Sequence, residues 1–168
     1  MMVMRWCATT FATLALVACN ASAPSDAIAQ RPAAGAEALS PAGLPLVPLT
    51  INSAGKRHAF TVEVARTAQE QAQGLMFRTE LAPDAGMIFP FPTVKPASFW
   101  MKNTVISLDI IFVRADGSIE SIAANTVPYS LDAVSSNEPV AAVLELAAGR
   151  AAELGIKPGD TVKWQTER

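Results

Sequence analysis

The chain has 168 residues, enough for one domain with an ordinary core. Its composition is 51% hydrophobic and 17% charged, and the formal charge of −2 comes without any basic run. A nucleic-acid surface needs a clustered cationic footprint to displace counterions, so nucleic acid is excluded as a partner.

The first nineteen residues read as an address. Arg5 stands in a short n-region, and "ATTFATLALVA" follows as an apolar run. That run suits a signal-peptide h-region but is too short to span ~30 Å of hydrocarbon as a helix. It ends in Leu16-Val17-Ala18-Cys19, which resembles the bacterial lipobox, where the cysteine thiol takes a diacylglycerol before cleavage. An ordinary secretory signal cut after Ala23, in "ASA", is the competing reading, and a cysteine at position 19 favours the first. Either way the destination is extracytoplasmic. Cys7 leaves with the signal and Cys19 is acylated or removed, so the mature domain has no thiol and must rely on its core. A lipidated Cys19 would tether the protein to the periplasmic side of a bacterial membrane.

Residues 20–48 are rich in Ala, Pro, Ser and Gly, with five prolines and no aromatic residue. They read as a disordered tether with a reach on the order of 30 Å. A single β-rich domain is expected over residues 49–168. "HAFTVEVA" alternates Phe60, Val62 and Val64 against polar neighbours, the period of a half-buried strand. Thr67 with Glu70 three residues later forms a capping box for a short helix that Gly74 closes. "MIF" reads as a short strand and "PFPTVKP" as a proline-stiffened loop. Strands are expected over "SFWMKN", "SLDIIFV" and "SIESIAA", with Asp116-Gly117 turning the hairpin between the last two. The strand "VAAVLELA" follows a long loop. A second short helix lies around Gly149 to Leu154 and ends at Gly155, and "TVKWQ" is the final strand. The fold class is therefore mainly β, a small β-barrel or sandwich with two short helices.

Catalysis is constrained by what is missing. The mature chain has one histidine, His58, and no thiol, which removes Cys–His chemistry and makes a Ser-His-Asp triad or a His/Cys zinc site a poor fit. No cofactor is expected, and His58 reads as a surface residue. Met76, Met87 and Met101 are scattered and read as core filler rather than a soft-metal site. Two acids stand out. Asp109 in "LDIIFV" and Glu145 in "VLELA" lie in strands apolar on both faces, so both are expected to be partly buried and held by Arg78, Lys102 or Asn103. The functional alternative pairs them as general acid and base. In "SFWMKNT", strand alternation sends Trp100 and Lys102 to one face and Met101 and Asn103 to the other.

"GLMFRTEL", "GMIFPF", "SFWMKNTVISLDIIFV", "VLELAAG" and "LGIKPGD" occur in the order and spacing of the bacterial and archaeal family called domain of unknown function 192, which the chain resembles from about Thr61 to Trp164. Ser107 departs from the pattern, where the family usually has proline. The resemblance implies a small β-barrel or sandwich and no established activity. It also implies that Glu70, Gly74, Met76, Arg78, Trp100, Met101, Asn103, Thr104, Asp109, Glu145 and Gly149 are pattern positions.

The reading that follows is a membrane-tethered, non-catalytic module binding a small molecule or another envelope component. Its site is expected around Arg78, Trp100, Lys102, Asn103, Asp109 and Glu145. Arg78 would grip a carboxylate or phosphate, and Trp100 would offer a stacking face. A hydrolase-like enzyme using Asp109 and Glu145, and an assembly module with an exposed apolar patch and no enclosed pocket, are the alternatives.

Overall fold

The computed structural model describes residues 38–165. The expected signal segment, Cys19 and the expected tether as far as residue 37 lie outside the described residues. Nine strands and two short helices follow one another: β1 (Leu46–Ser53), β2 (Lys56–Val64), α1 (Ala68–Gln73), β3 (Ala85–Lys95), β4 (Ser98–Phe99), β5 (Leu108–Val113), β6 (Ile119–Ala123), β7 (Val134–Ser135), β8 (Val140–Ala147), α2 (Arg150–Leu154) and β9 (Thr161–Trp164). The domain is mainly β, as expected. No helix among the described residues is long and apolar enough to cross a membrane.

Seven strands form one sheet in the order β6-β5-β8-β3-β2-β1-β9, while β4 and β7 make a separate ribbon. The sheet curls until its edges meet along a short seam. Ser118 bridges Thr161, the Ile119 amide donates to the Asp160 carbonyl, and the Val162 amide donates to the Gly117 carbonyl. Gly117 makes this approach feasible. Its φ is +85°, and a Cβ there would stand 2.8 Å from the Val162 carbonyl oxygen.

The curl separates two apolar layers. Inside lie Leu49, Ile51, Val62, Ile88, Ile111, Leu144 and Val162, all essentially buried. On the outer face, Met87, Phe89, Ile110, Phe112 and Val143 pack with Leu75, Ala97 and Met101 from the covering segments. Strands β5 and β8 and the first half of β3 are therefore covered on both faces, which is why "LDIIFV" is buried at every position.

Local signals held up well. Thr67 and Glu70 form the capping box of α1, and Gly74 caps its end with its N–H donating to the Glu70 carbonyl. The Asp116-Gly117 hairpin joins β5 and β6, and Gly155 ends α2 in a left-handed conformation.

Three expectations are corrected. The expected loop "PFPTVKP" is, as far as Lys95, the second half of β3; Pro90 is the last residue before the ladder to β8 shifts register and Pro92 lies within the shift, where proline is tolerated. The expected strand "SFWMKN" shrinks to Ser98–Phe99, followed by a tight turn in which the Thr104 amide donates to the Met101 carbonyl and Asn103 takes φ +56°. The tether ends earlier than Pro48. Ser40 is buried, with its hydroxyl donating to Glu63 and accepting from the Ala42 and Leu44 amides, and β1 begins at Leu46. Pairing decides this boundary: Leu46 to Ser53 finds a complete antiparallel partner in β2.

Candidate functional site

The outer layer contains a cavity of about 520 Å³. One wall is α1 and the turn behind it, Gln71 to Met76. Another is the end of β3 and β4, from Phe91 through Phe99, with Trp100 and Thr104 from the following turn. Glu145 reaches it from β8, with Phe89 beside it. The walls are fixed by local bonds. The Gln71 amide nitrogen donates to the carbonyls of Ala65 (3.1 Å) and Pro90 (3.0 Å), which clamps α1 to β3. Phe89 and Phe99 meet edge to face with centroids 5.1 Å apart.

Glu145 is the unusual group. It is 5% exposed, its strand neighbours across the ladders are Met87 and Ile110, and burial alone acts on its carboxyl, with no hydrogen bond or ion pair among the described residues. Burial without a partner disfavours the ionised form, and the carboxyl is pushed up from 4.5 to about 8. With no cation beside it, the carboxyl is mostly a neutral acid at neutral pH.

Asp109 does something different. It is fully buried, and register pairs it with Leu146, so it lies on the inner face while Glu145 lies on the outer one opposite Ile110. Its Oδ1 accepts from the Asn125 amide at 2.9 Å and the Gly149 amide at 3.0 Å, and Oδ2 accepts from the Ala151 amide at 2.9 Å. The N-cap of α2 is Gly149, which has no side chain to offer, and a carboxylate from the neighbouring strand caps the helix instead. The two acids cannot line one cleft, which removes the geometry the acid–base alternative requires. Neither acid is held by Arg78, Lys102 or Asn103.

The other candidates are dispersed. Arg78 donates to Glu63 at 2.8 Å, within the anchor that holds Ser40. Asn103 spends its carbonyl on the Phe77 amide and its side chain on the Met76 sulfur at 3.8 Å. Lys102 places its ammonium 5.2 Å from the Trp100 ring centroid. Trp100 itself is 51% exposed at the cavity rim. So Met101 turns inward while Trp100 and Lys102 stay outside, the division expected from alternation but produced by a turn. Of the six candidates, Trp100 and Glu145 line the cavity.

Sequence reasoning missed Glu63, which is 6% exposed and shares the outer-face row of Met87 and Glu145. In "TVEVA" it has the look of an outward polar position. The signal available was Ala65 two residues later, also fully buried, which marks that face as covered at this end of β2.

Fold and cavity together define a small curled β-domain with a pocket on its outer face. The chain belongs to the DUF192 family, described as "Uncharacterized ACR", whose model matches residues 49–164. Solved structures resemble it, among them these two. One is a protein of unknown function from Novosphingobium aromaticivorans, with 53% identity, a TM-score of 0.75, and coverage of 78% of this chain and 94% of that one. The other, from Sinorhizobium meliloti, is described as a "putative transcription regulator", with 43% identity, a TM-score of 0.71, and coverage of 72% and 95%. No curated protein matches the sequence.

Proposed function

We propose that the chain is a membrane-tethered, extracytoplasmic binding module that holds a small envelope ligand in the cavity between Glu145 and Trp100 and does not turn it over. One observation carries the pocket: Glu145, only 5% exposed as a residue, lines the cavity with a carboxyl that no group among the described residues hydrogen-bonds. A folded protein seldom tolerates such a group unless something else satisfies it. The tether rests on the apolar run ending at Cys19.

Two measurements test this. Substituting Trp100→Ala removes the rim ring and is expected to weaken binding of envelope fragments by about tenfold, with the melting temperature measured alongside to confirm that the half-exposed ring's loss leaves the fold intact. Unchanged affinity for every fragment that binds the parent would put the ligand elsewhere. Cys19→Ser is expected to move the chain from the membrane fraction to the soluble fraction and to abolish labelling by radioactive palmitate. Labelling that survives the substitution rejects the anchor.

An assembly role is the second reading, because one surface favours it. Phe77, Val105, Val127, Tyr129 and Leu131 are exposed on three loops joined by backbone bonds from Phe77 to Asn103, Tyr129 to Thr104 and Met101 to Ser130. Backbone bonds bring the three loops together, the arrangement an exposed apolar patch would need.

A further inference from the structure

We propose that the cavity takes a protonated amine, whose ammonium group pairs with Glu145 while its carbon frame lies among Phe89, Phe91, Phe99 and Trp100. This rests on the pocket reading above and names the class of ligand it accepts.

The argument is a balance of donors, acceptors and π-faces. The less exposed polar groups around the cavity have used their donors already. Gln71 donates both amide protons to Ala65 and Pro90, leaving its carbonyl oxygen, and the Thr104 hydroxyl donates to the Lys102 carbonyl at 3.3 Å. Glu145, once ionised, adds two further acceptor oxygens and no donor. Apart from the proton that Glu145 itself carries when neutral, what remains unsatisfied is acceptor capacity, and an ammonium group supplies three donors. The aromatic lining points the same way, since ring faces attract cations. Two of these rings already do so: the Lys95 ammonium lies 4.4 Å from the Phe91 centroid, and that of Lys102 lies 5.2 Å from Trp100. An anionic ligand would meet the buried acid, and the cation that lines the cavity, Lys95, already sits over Phe91.

Charges around Glu145 are few. Lys95 is the other ionisable residue lining the cavity among the described residues, and it sits over Phe91. α1 contributes Gln71, Ala72 and Gln73; the turn contributes Trp100 and Thr104, with Lys102 outside on the indole. Across β3, beyond Met87, Glu63 is paired with Arg78. A cation entering therefore has Glu145 as its counter-ion, and its field returns the carboxyl to the ionised state. Association must release close to one proton at neutral pH, because the empty site holds that proton and the filled one does not. A neutral ligand accepting from the protonated acid releases none.

Isothermal titration of the purified chain decides it, using benzylammonium, its isosteres benzyl alcohol and benzoate, and Nα-acetyl-lysine methylamide. The last separates a peptide-borne amine from a free one. Benzylammonium or the lysine amide is expected to bind with affinity rising about tenfold per pH unit from 5.5 to 7.5 and levelling above 8. Heats in buffers of different ionisation enthalpy should report about one proton released. Glu145→Gln, of nearly the same shape, should weaken the amine at least tenfold and erase the pH dependence, with its melting temperature confirming the fold. Benzyl alcohol or benzoate binding more tightly than either amine overturns the amine assignment and leaves the pocket standing. Saturable binding by none of the four overturns the pocket as well.

Discussion

Replacing Asp109 by Asn is expected to cost the domain about 3 kcal/mol, and replacing it by Ala about 5 kcal/mol. The carboxylate is fully buried and accepts from three backbone amides. Asp109→Asn can keep the two bonds at Oδ1, but its NH₂ then faces the Ala151 amide, donor against donor, with no water to relieve either. Asp109→Ala orphans all three amides and leaves a void. A loss of that size approaches the whole stability of a marginal domain, so Asp109→Ala is expected to be largely unfolded at growth temperature. Urea unfolding should show a midpoint lowered by about 1–2 M for Asp109→Asn at unchanged slope. Amide exchange should quicken first in α2 and around Asn125, the segments that the carboxylate ties to β5. A midpoint within about 0.3 M of the parent would mean that Asp109 is not the latch described above. The experiment also separates roles, since ligand binding on the opposite face of the sheet should survive in the folded fraction.

Glu145→Gln is expected to do the reverse at high pH. Burial raises the carboxyl from 4.5 to about 8 in the folded chain, so the folded state favours the protonated form. The stability linked to that proton is fully present below pH 4.5 and is lost as pH rises through about 8. Over that interval the ligand-free domain should lose on the order of 4 kcal/mol through this group. Glu145→Gln carries no titrating proton, so its stability should match the parent near pH 4.5 and exceed it near pH 8. Other groups titrate in both chains and cancel in the difference. Urea unfolding at pH 4.5, 6 and 8 measures it; parallel curves for the two chains would show that Glu145 ionises freely and that the cavity is wet. A protein that keeps an acid costing this much is expected to use it.

Much of the scaffold was legible because its signals are local. Thr67 and Glu70 satisfy each other across three residues, Gly155 ends α2 by its own left-handed conformation, and the Asp116-Gly117 turn needs nothing beyond its flanking strands. The prolines of β3 misled because they are tolerated at a register shift that no local pattern announces. "SFWMKNT" misled for a related reason. Alternation predicts a strand, yet Asn103 is held left-handed by its carbonyl bond to Phe77 and by the Met101–Thr104 turn, the first of which depends on a segment distant in sequence.

The candidate site was legible in parts. That Asp109 and Glu145 sit in strands apolar on both faces follows from their neighbours in the chain. By itself the amino-acid order determined the mainly β class, the short helices with their caps, and the burial of two acids, because each depends on contacts within a few residues. Only the tertiary structure decided what those acids do. Register set Ile110 opposite Glu145 and so sent Asp109 to the other face, where three amides meet it. The covering of the outer face by α1 and the turn at Trp100 left Glu145 beside a cavity and without a partner. A buried carboxyl is satisfied or left wanting by whichever backbone and side chains reach it across the sheet, and that is a property of pairing between distant segments.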